Sequence, residues 1–79
     1  MLRPKLVAVI PTADHRLHLK YKNGESKVYD VKPLLNRWQW EKLKDIDLFM
    51  KARLFIGTAV WDDKTDIAPE RLYEDSQPE

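Results

Sequence analysis

The 79-residue chain contains no cysteine, so a disulfide framework, a thiolate metal site and a cysteine nucleophile are all excluded. Packing alone must hold the fold together. Glycine is almost as scarce, with only Gly24 and Gly57, which leaves no glycine-rich phosphate loop and none of the common nucleotide-binding fingerprints. Long hydrophobic runs are missing too. The apolar stretch at residues 6–10 is too short for a signal h-region followed by a cleavage site, and far too short to span a bilayer. A cytoplasmic protein without membrane attachment is the expectation.

What is present suffices for one packed core. Hydrophobic residues make up 43% of the chain and eight residues are aromatic, which excludes disorder over most of its length. A chain this short buries somewhat over ~60% of its unfolded surface and has a stability of roughly 4 to 12 kcal/mol. The net charge of +1 hides an asymmetry: residues 1–44 carry ten Lys or Arg against four Asp or Glu, and residues 45–79 carry four against nine. Such halves either attract one another or present a basic face to an acidic partner or nucleic acid.

Residues 6–10 are apolar and mostly β-branched, which predicts a first strand that is central or covered on both faces. After a turn-rich segment, Arg16-Leu17-His18-Leu19-Lys20-Tyr21 alternates with period two, as a half-buried strand does. Asn23-Gly24 then predicts a hairpin to a third strand at residues 26–31. A two-residue turn would put Ser26, Val28 and Asp30 beside the leucines and leave that face half polar. A three-residue loop with Gly24 in the left-handed region instead sets Leu17 against Tyr29 and Tyr21 against Glu25, and adds Val31 to the apolar face.

Asp30 and Pro33 then predict a turn. Two short helices follow, one near residues 38–43 and one at 46–52 capped by Asp45, with Ile46, Phe49 and Met50 on one face. Residues 53–56 and 58–61 are β-prone on either side of Gly57, as a hairpin or one bent strand. Asp66 as cap, with Pro69 and Glu70 in the first turn, predicts a last short helix. The sum is a small α+β domain over residues 1–75: an N-terminal three-stranded antiparallel meander, short helices in the middle, one or two further strands and a short C-terminal helix. Residues 76–79 have nothing apolar to bury and are expected to fray.

Catalytic chemistry is not visible. His15 and His18 lack the spacing to a serine or threonine that a nucleophile and base require, and both read as surface residues. Asp62, Asp63 and Asp66 offer three carboxylates but no pattern for a calcium loop, and acidic turns explain them. The expectation is no catalytic residue, no metal, no cofactor and no enzyme. Arg16, His18, Lys20 and Lys22 alternate along one strand face, with Lys27 expected near them across the hairpin, and form a basic strip suited to phosphate contacts. Trp38 and Trp40 are candidate stacking surfaces or anchors for a protein partner, although small domains also spend tryptophan on the core.

Tyr21-Lys22-Asn23-Gly24-Glu25, Tyr29-Asp30-Val31-Lys32-Pro33-Leu34-Leu35, Trp61, and Asp66-Ile67-Ala68-Pro69-Glu70-Arg71-Leu72-Tyr73, in this order and spacing, resemble the bacterial domain of unknown function family 2442. The resemblance runs from the first strand to Tyr73. It implies a small α+β domain, often encoded beside another short protein in an arrangement like a toxin-antitoxin pair, with no catalytic residues. Where that family commonly reads tryptophan, proline, asparagine and glycine, this chain has Trp61-Asp62-Asp63-Lys64.

Two functions follow as expectations. The first is a non-enzymatic protein-interaction module, antitoxin-like or regulatory, whose partner is the neighbouring gene product and meets Trp38 and Trp40 or an uncovered sheet edge. The second is a small nucleic-acid-binding domain using Arg16, His18, Lys20, Lys22 and Lys27. A homodimer through a sheet edge is compatible with either.

Overall fold

The computed structural model describes residues 4–37, 39–62 and 65–79. The chain opens with an antiparallel meander of β1 (Leu6–Pro11), β2 (Arg16–Tyr21) and β3 (Ser26–Asp30). The alternation of β2 is realised: Leu17, Leu19 and Tyr21 are buried while Arg16, His18 and Lys20 take the other face, as successive side chains on a strand must. Leu17 pairs with Tyr29 and Leu19 with Lys27, the register of the bulged turn. Gly24 sits at φ +92°. Its amide donates to the Tyr21 carbonyl at 3.0 Å and the Tyr21 amide to the Glu25 carbonyl at 3.0 Å. That place needs a left-handed residue, which glycine supplies without a Cβ penalty.

The connection from β1 to β2 repeats this bonding. The His15 amide donates to the Thr12 carbonyl at 3.2 Å and the Thr12 amide to the Arg16 carbonyl at 2.9 Å, with His15 in the left-handed place at φ +62°. Neither glycine nor asparagine announces this turn.

After β3 the Asp30 carboxylate accepts the Lys32 amide at 3.0 Å, and a 3₁₀ turn at Lys32–Leu34 carries the chain away from the sheet. A second 3₁₀ turn at Glu41–Lys44 precedes α1 (Ile46–Phe49), whose first turn is capped as expected by Asp45, accepting the Asp47 amide at 3.0 Å. The helix stops at Phe49, before the expected end, so Met50 is 45% exposed rather than sharing the buried face of Phe49. β4 (Arg53–Phe55) and β5 (Thr58–Asp62) form a hairpin rather than one bent strand, with Ile56 at φ +47° and Gly57 at φ +76° as its two-residue turn. Positive φ at both places is the mirror-image turn that matches the strand twist.

β6 (Thr65–Asp66) completes a three-stranded sheet, β4-β5-β6, and α2 (Pro69–Glu74) packs on β5. Asp66, expected to cap α2, lies in β6 instead, and Ala68 precedes the helix without a side-chain cap bond. β7 (Gln77–Pro78) pairs with β3, so the other sheet has the order β1-β2-β3-β7. Residues 76–79, expected to fray, are here placed along the β3 edge. The Glu79 amide donates to the Ser26 carbonyl at 3.0 Å and buried Ser76 donates its hydroxyl to the Tyr73 carbonyl at 2.8 Å; backbone bonding at a strand edge holds the segment where apolar burial does not.

β1 is a second correction. It is an edge strand rather than central or doubly covered, with Val7 47% and Ile10 49% exposed and a register shift between Leu6 and Ala8. A short apolar run does not by itself say how many of its faces are covered. The inner faces of both sheets meet in one core. It is built from Leu17, Leu19, Tyr29, Val31, Leu43, Phe49, Ala59, Trp61, Ile67 and Leu72 among others. The Trp61 indole N–H donates to the Phe49 carbonyl at 3.0 Å and fixes α1 against β5. The opposite charges of the two halves meet as pairs, Lys42 with Asp62 at 2.6 Å and Lys20 with Glu79 at 3.4 Å.

Candidate functional site

The basic strip is largely engaged from within the chain. Arg16, His18 and Lys20 do share the outer face of β2, but Glu79, brought there by β7, hydrogen-bonds the His18 Nδ1 and accepts from the Lys20 Nζ at 3.4 Å. The contact with His18, and then Lys20, holds the Glu79 carboxyl below its usual range. Arg16 pairs with Asp14 at 3.4 Å. Lys22 is exposed beyond the end of β2. Lys27 is not on the strip at all. Its pairing with Leu19 puts it on the opposite face, where its ammonium lies 3.9 Å from the centre of the Tyr73 ring and donates to the Tyr73 carbonyl at 2.7 Å. The Tyr73 hydroxyl donates to Glu25 at 2.8 Å, which raises the phenol's pKa; Asn23 first, and Tyr73 second, lower that of Glu25.

Of the two candidate tryptophans, Trp38 lies outside the described residues. Trp40 is 8% exposed, belongs to the core and donates its indole N–H to the Asp66 carbonyl at 3.2 Å. It is a strut between the second 3₁₀ turn and β6, with little of its surface exposed. His15 is not a simple surface residue either. Its Nε2 donates to the Leu43 carbonyl at 2.9 Å and its ring lies 4.9 Å from that of Phe49.

The apolar surface lies elsewhere. Met50, Leu54, Phe55 and Ile56 are all exposed, Phe55 by 53% and Ile56 by 82%; Met50 directly follows α1 and the other three belong to the β4–β5 hairpin. β1, with Val7 and Ile10, runs beside β4. A β-branched residue at positive φ is a conformational outlier, and here it holds an isoleucine out into solvent. Beneath the hairpin Arg53, Phe55, Thr58, Val60 and Asp66 line a shallow depression of about 430 Å³. The signal for this surface was Ile56-Gly57, where a hairpin turn would ordinarily read Asn-Gly.

A larger groove, about 750 Å³, lies at the β3 edge next to β7, with Tyr29, Leu34, Arg37, Arg71, Asp75 and Pro78 among its lining. Tyr29 is 4% exposed, and burial, followed by the charge of Asp75, raises its phenol pKa against the opposing pull of Arg71 and Arg37. Nothing in the sequence connected these residues.

No group of three or more His, Asp or Glu among the described residues is placed to hold a metal ion. Asp62 is paired with Lys42, and Asp63 lies outside the described residues. No helix among the described residues is long and apolar enough to cross a membrane. No curated protein and no solved structure matches the chain. A family model described as a protein of unknown function, DUF2442, matches residues 6–78, from the first residue of β1 into β7, and the chain belongs to that family.

Proposed function

We propose that the chain is a non-enzymatic protein-interaction module, antitoxin-like or regulatory and acting in the bacterial cytoplasm, whose protein partner docks on the apolar end formed by α1 and the β4–β5 hairpin. The observation that carries this reading is Ile56: a large aliphatic side chain, 82% exposed, held at φ +47° beside a half-exposed Phe55. Neither exposure nor that backbone angle contributes to folding, and both are costs that a docking surface repays, since apolar side chains clustered on a surface mark interaction sites. The neighbouring gene product implied by the family resemblance is the partner to try first.

Co-expression of the two chains, followed by affinity capture and size-exclusion chromatography, tests the reading. A stoichiometric complex that Phe55→Lys abolishes, with circular dichroism unchanged, is the expected outcome. A complex indifferent to Phe55→Lys and Ile56→Lys would remove the hairpin from the interface, and a lone monomer carrying no protein would count against the module itself.

A further inference from the structure

The groove beside β3 combines two features that bear on one kind of ligand. The first is backbone. Residues 27 and 29 pair inward with β2, and the Val31 amide donates to the His15 carbonyl at 3.0 Å, so by the alternation of an antiparallel ladder the backbone groups of Ser26, Val28 and Asp30 face the other edge. β7 takes up Ser26 and Val28: the Glu79 amide bonds the Ser26 carbonyl and Val28 pairs with Gln77. It reaches no further, because the chain turns off at Ser76 into α2. The backbone of Asp30 is left facing the groove.

The second feature is charge. Arg37, Arg71 and Tyr29 all line this opening. Tyr29 is only 4% exposed, and the charges of both arginines act on its phenol. Arg37 makes no ion pair among the described residues, and Arg71 makes only an exposed 3.5 Å contact with Asp75, an arrangement of the kind that contributes little and exchanges readily. Asp30 and Glu79 also line the groove, but Asp30 caps the Lys32 amide and Glu79 is turned to His18 and Lys20.

We propose that this groove binds an extended peptide bearing an acidic side chain, which adds to the open end of the β3 edge and seats its carboxylate between Arg37, Arg71 and the Tyr29 hydroxyl. Main-chain bonds to a sheet edge supply affinity, and a side-chain pocket at alternate positions supplies selectivity. Two guanidinium groups and a phenol O–H are all donors, so the pocket selects an acceptor that carries negative charge. The apolar walls from Leu34, Pro33 and Pro78 suit the aliphatic stem of a glutamate. The groove shares no residue with the hairpin depression, so its occupancy is independent of docking at Phe55 and Ile56.

The test is an amide-proton NMR titration of the ¹⁵N-labelled chain with the peptide Ac-Val-Glu-Val-Glu-Val-NH₂, and with its counterpart in which both glutamates are replaced by glutamine. The expected result is saturable shifts at Tyr29, Asp30, Arg37 and Arg71, with slowed solvent exchange of the Asp30 amide. Affinity for the acidic peptide falls by about tenfold or more in Arg37→Gln, the scale of one charge-assisted hydrogen bond, while its thermal melt is unchanged. Tyr29→Phe, which keeps the buried ring, weakens the acidic peptide more than its glutamine counterpart. Equal binding of the two peptides overturns the carboxylate pocket. Binding of succinate as tight as that of the acidic peptide overturns the strand addition, because the site would then recognise a free carboxylate alone.

Discussion

His15 and Leu43 are 28 positions apart, yet the His15 Nε2 donates to the Leu43 carbonyl at 2.9 Å. The bond ties the first hairpin turn of the meander to the second 3₁₀ turn, and the Phe49 ring 4.9 Å from the imidazole closes the contact from the α1 side. It also explains why a histidine stands at φ +62°, where its twin position one hairpin later has glycine: the backbone cost is offset by a contact that glycine cannot make. His15→Ala is expected to lose about 1 to 3 kcal/mol, since it strands a buried carbonyl and keeps the unfavourable angle. His15→Gly recovers about 1 kcal/mol of that by relieving the angle alone. Urea denaturation of the two variants separates the terms, and equal losses would show that the angle is not strained.

The two glycine turns give a matched pair of outcomes with opposite signs. Gly24 sits at φ +92° with open space where a Cβ would be, so Gly24→Ala carries a purely conformational penalty of about 1 to 2 kcal/mol. Ile56 is the reverse case. Ile56→Asn makes the turn read Asn-Gly and is expected to stabilise by about 1 kcal/mol, a rise in Tm of roughly 4 to 8 °C for a domain of this size. If the isoleucine serves docking, the same variant weakens partner capture while raising the melting temperature.

These turns also show what the sequence displayed. Asn23-Gly24 and the period-two pattern of β2 were legible because both are local: a positive φ favours glycine, and a half-buried strand demands alternation. The turn at His15 was not legible, because what holds it is a carbonyl that only the tertiary fold brings near. The strand at residues 77–78 was hidden for the same reason, its bonds being to the backbone of β3 with no apolar pattern of its own. Lys27 looked like part of the basic strip from its nearness in sequence, yet the register that correctly paired Leu17 with Tyr29 also sends Lys27 to the other face. The apolar hairpin and the β3 groove escaped notice because long side chains at residues 50–56 read equally well as core, and because Tyr29, Arg37 and Arg71 come from three separate elements.

The tail should be sensitive to pH in one direction. The Glu79 carboxyl is held below its ordinary value of 4.5, first by His18 and then by Lys20. A depressed folded pKa means a contribution that is fully present above the ordinary carboxylate value and is lost as pH falls through the depressed one. The amide of Glu79 should therefore lose protection, its exchange rate taken relative to the intrinsic rate at each pH, as the solution is acidified below that range, while amides of β2 stay protected. Glu79→Gln should show low protection already at neutral pH and no further acid-dependent change in it. High salt should mimic part of the effect, since the group is at the surface and its attraction to Lys20 is screened. A protection factor at Glu79 that is flat with pH in the unaltered chain would show that the backbone bond to Ser26 holds the tail unaided.

Trp40 decides how substitution experiments on this protein should be interpreted. As a buried ring hydrogen-bonded to the Asp66 carbonyl, it should cost about 3 to 5 kcal/mol when cut to alanine, a large part of the roughly 4 to 12 kcal/mol available to a chain of this length. Trp40→Ala would then lose partner capture by unfolding, and the loss would mimic an interface effect. Trp40→Phe keeps most of the packing and forfeits the indole N–H, so its expected cost is about 1 to 2 kcal/mol with capture intact at temperatures below its own melt. If Trp40→Phe folds with an unchanged melting temperature but fails to capture the partner, the indole is a contact residue after all and the side chain must leave the core on binding.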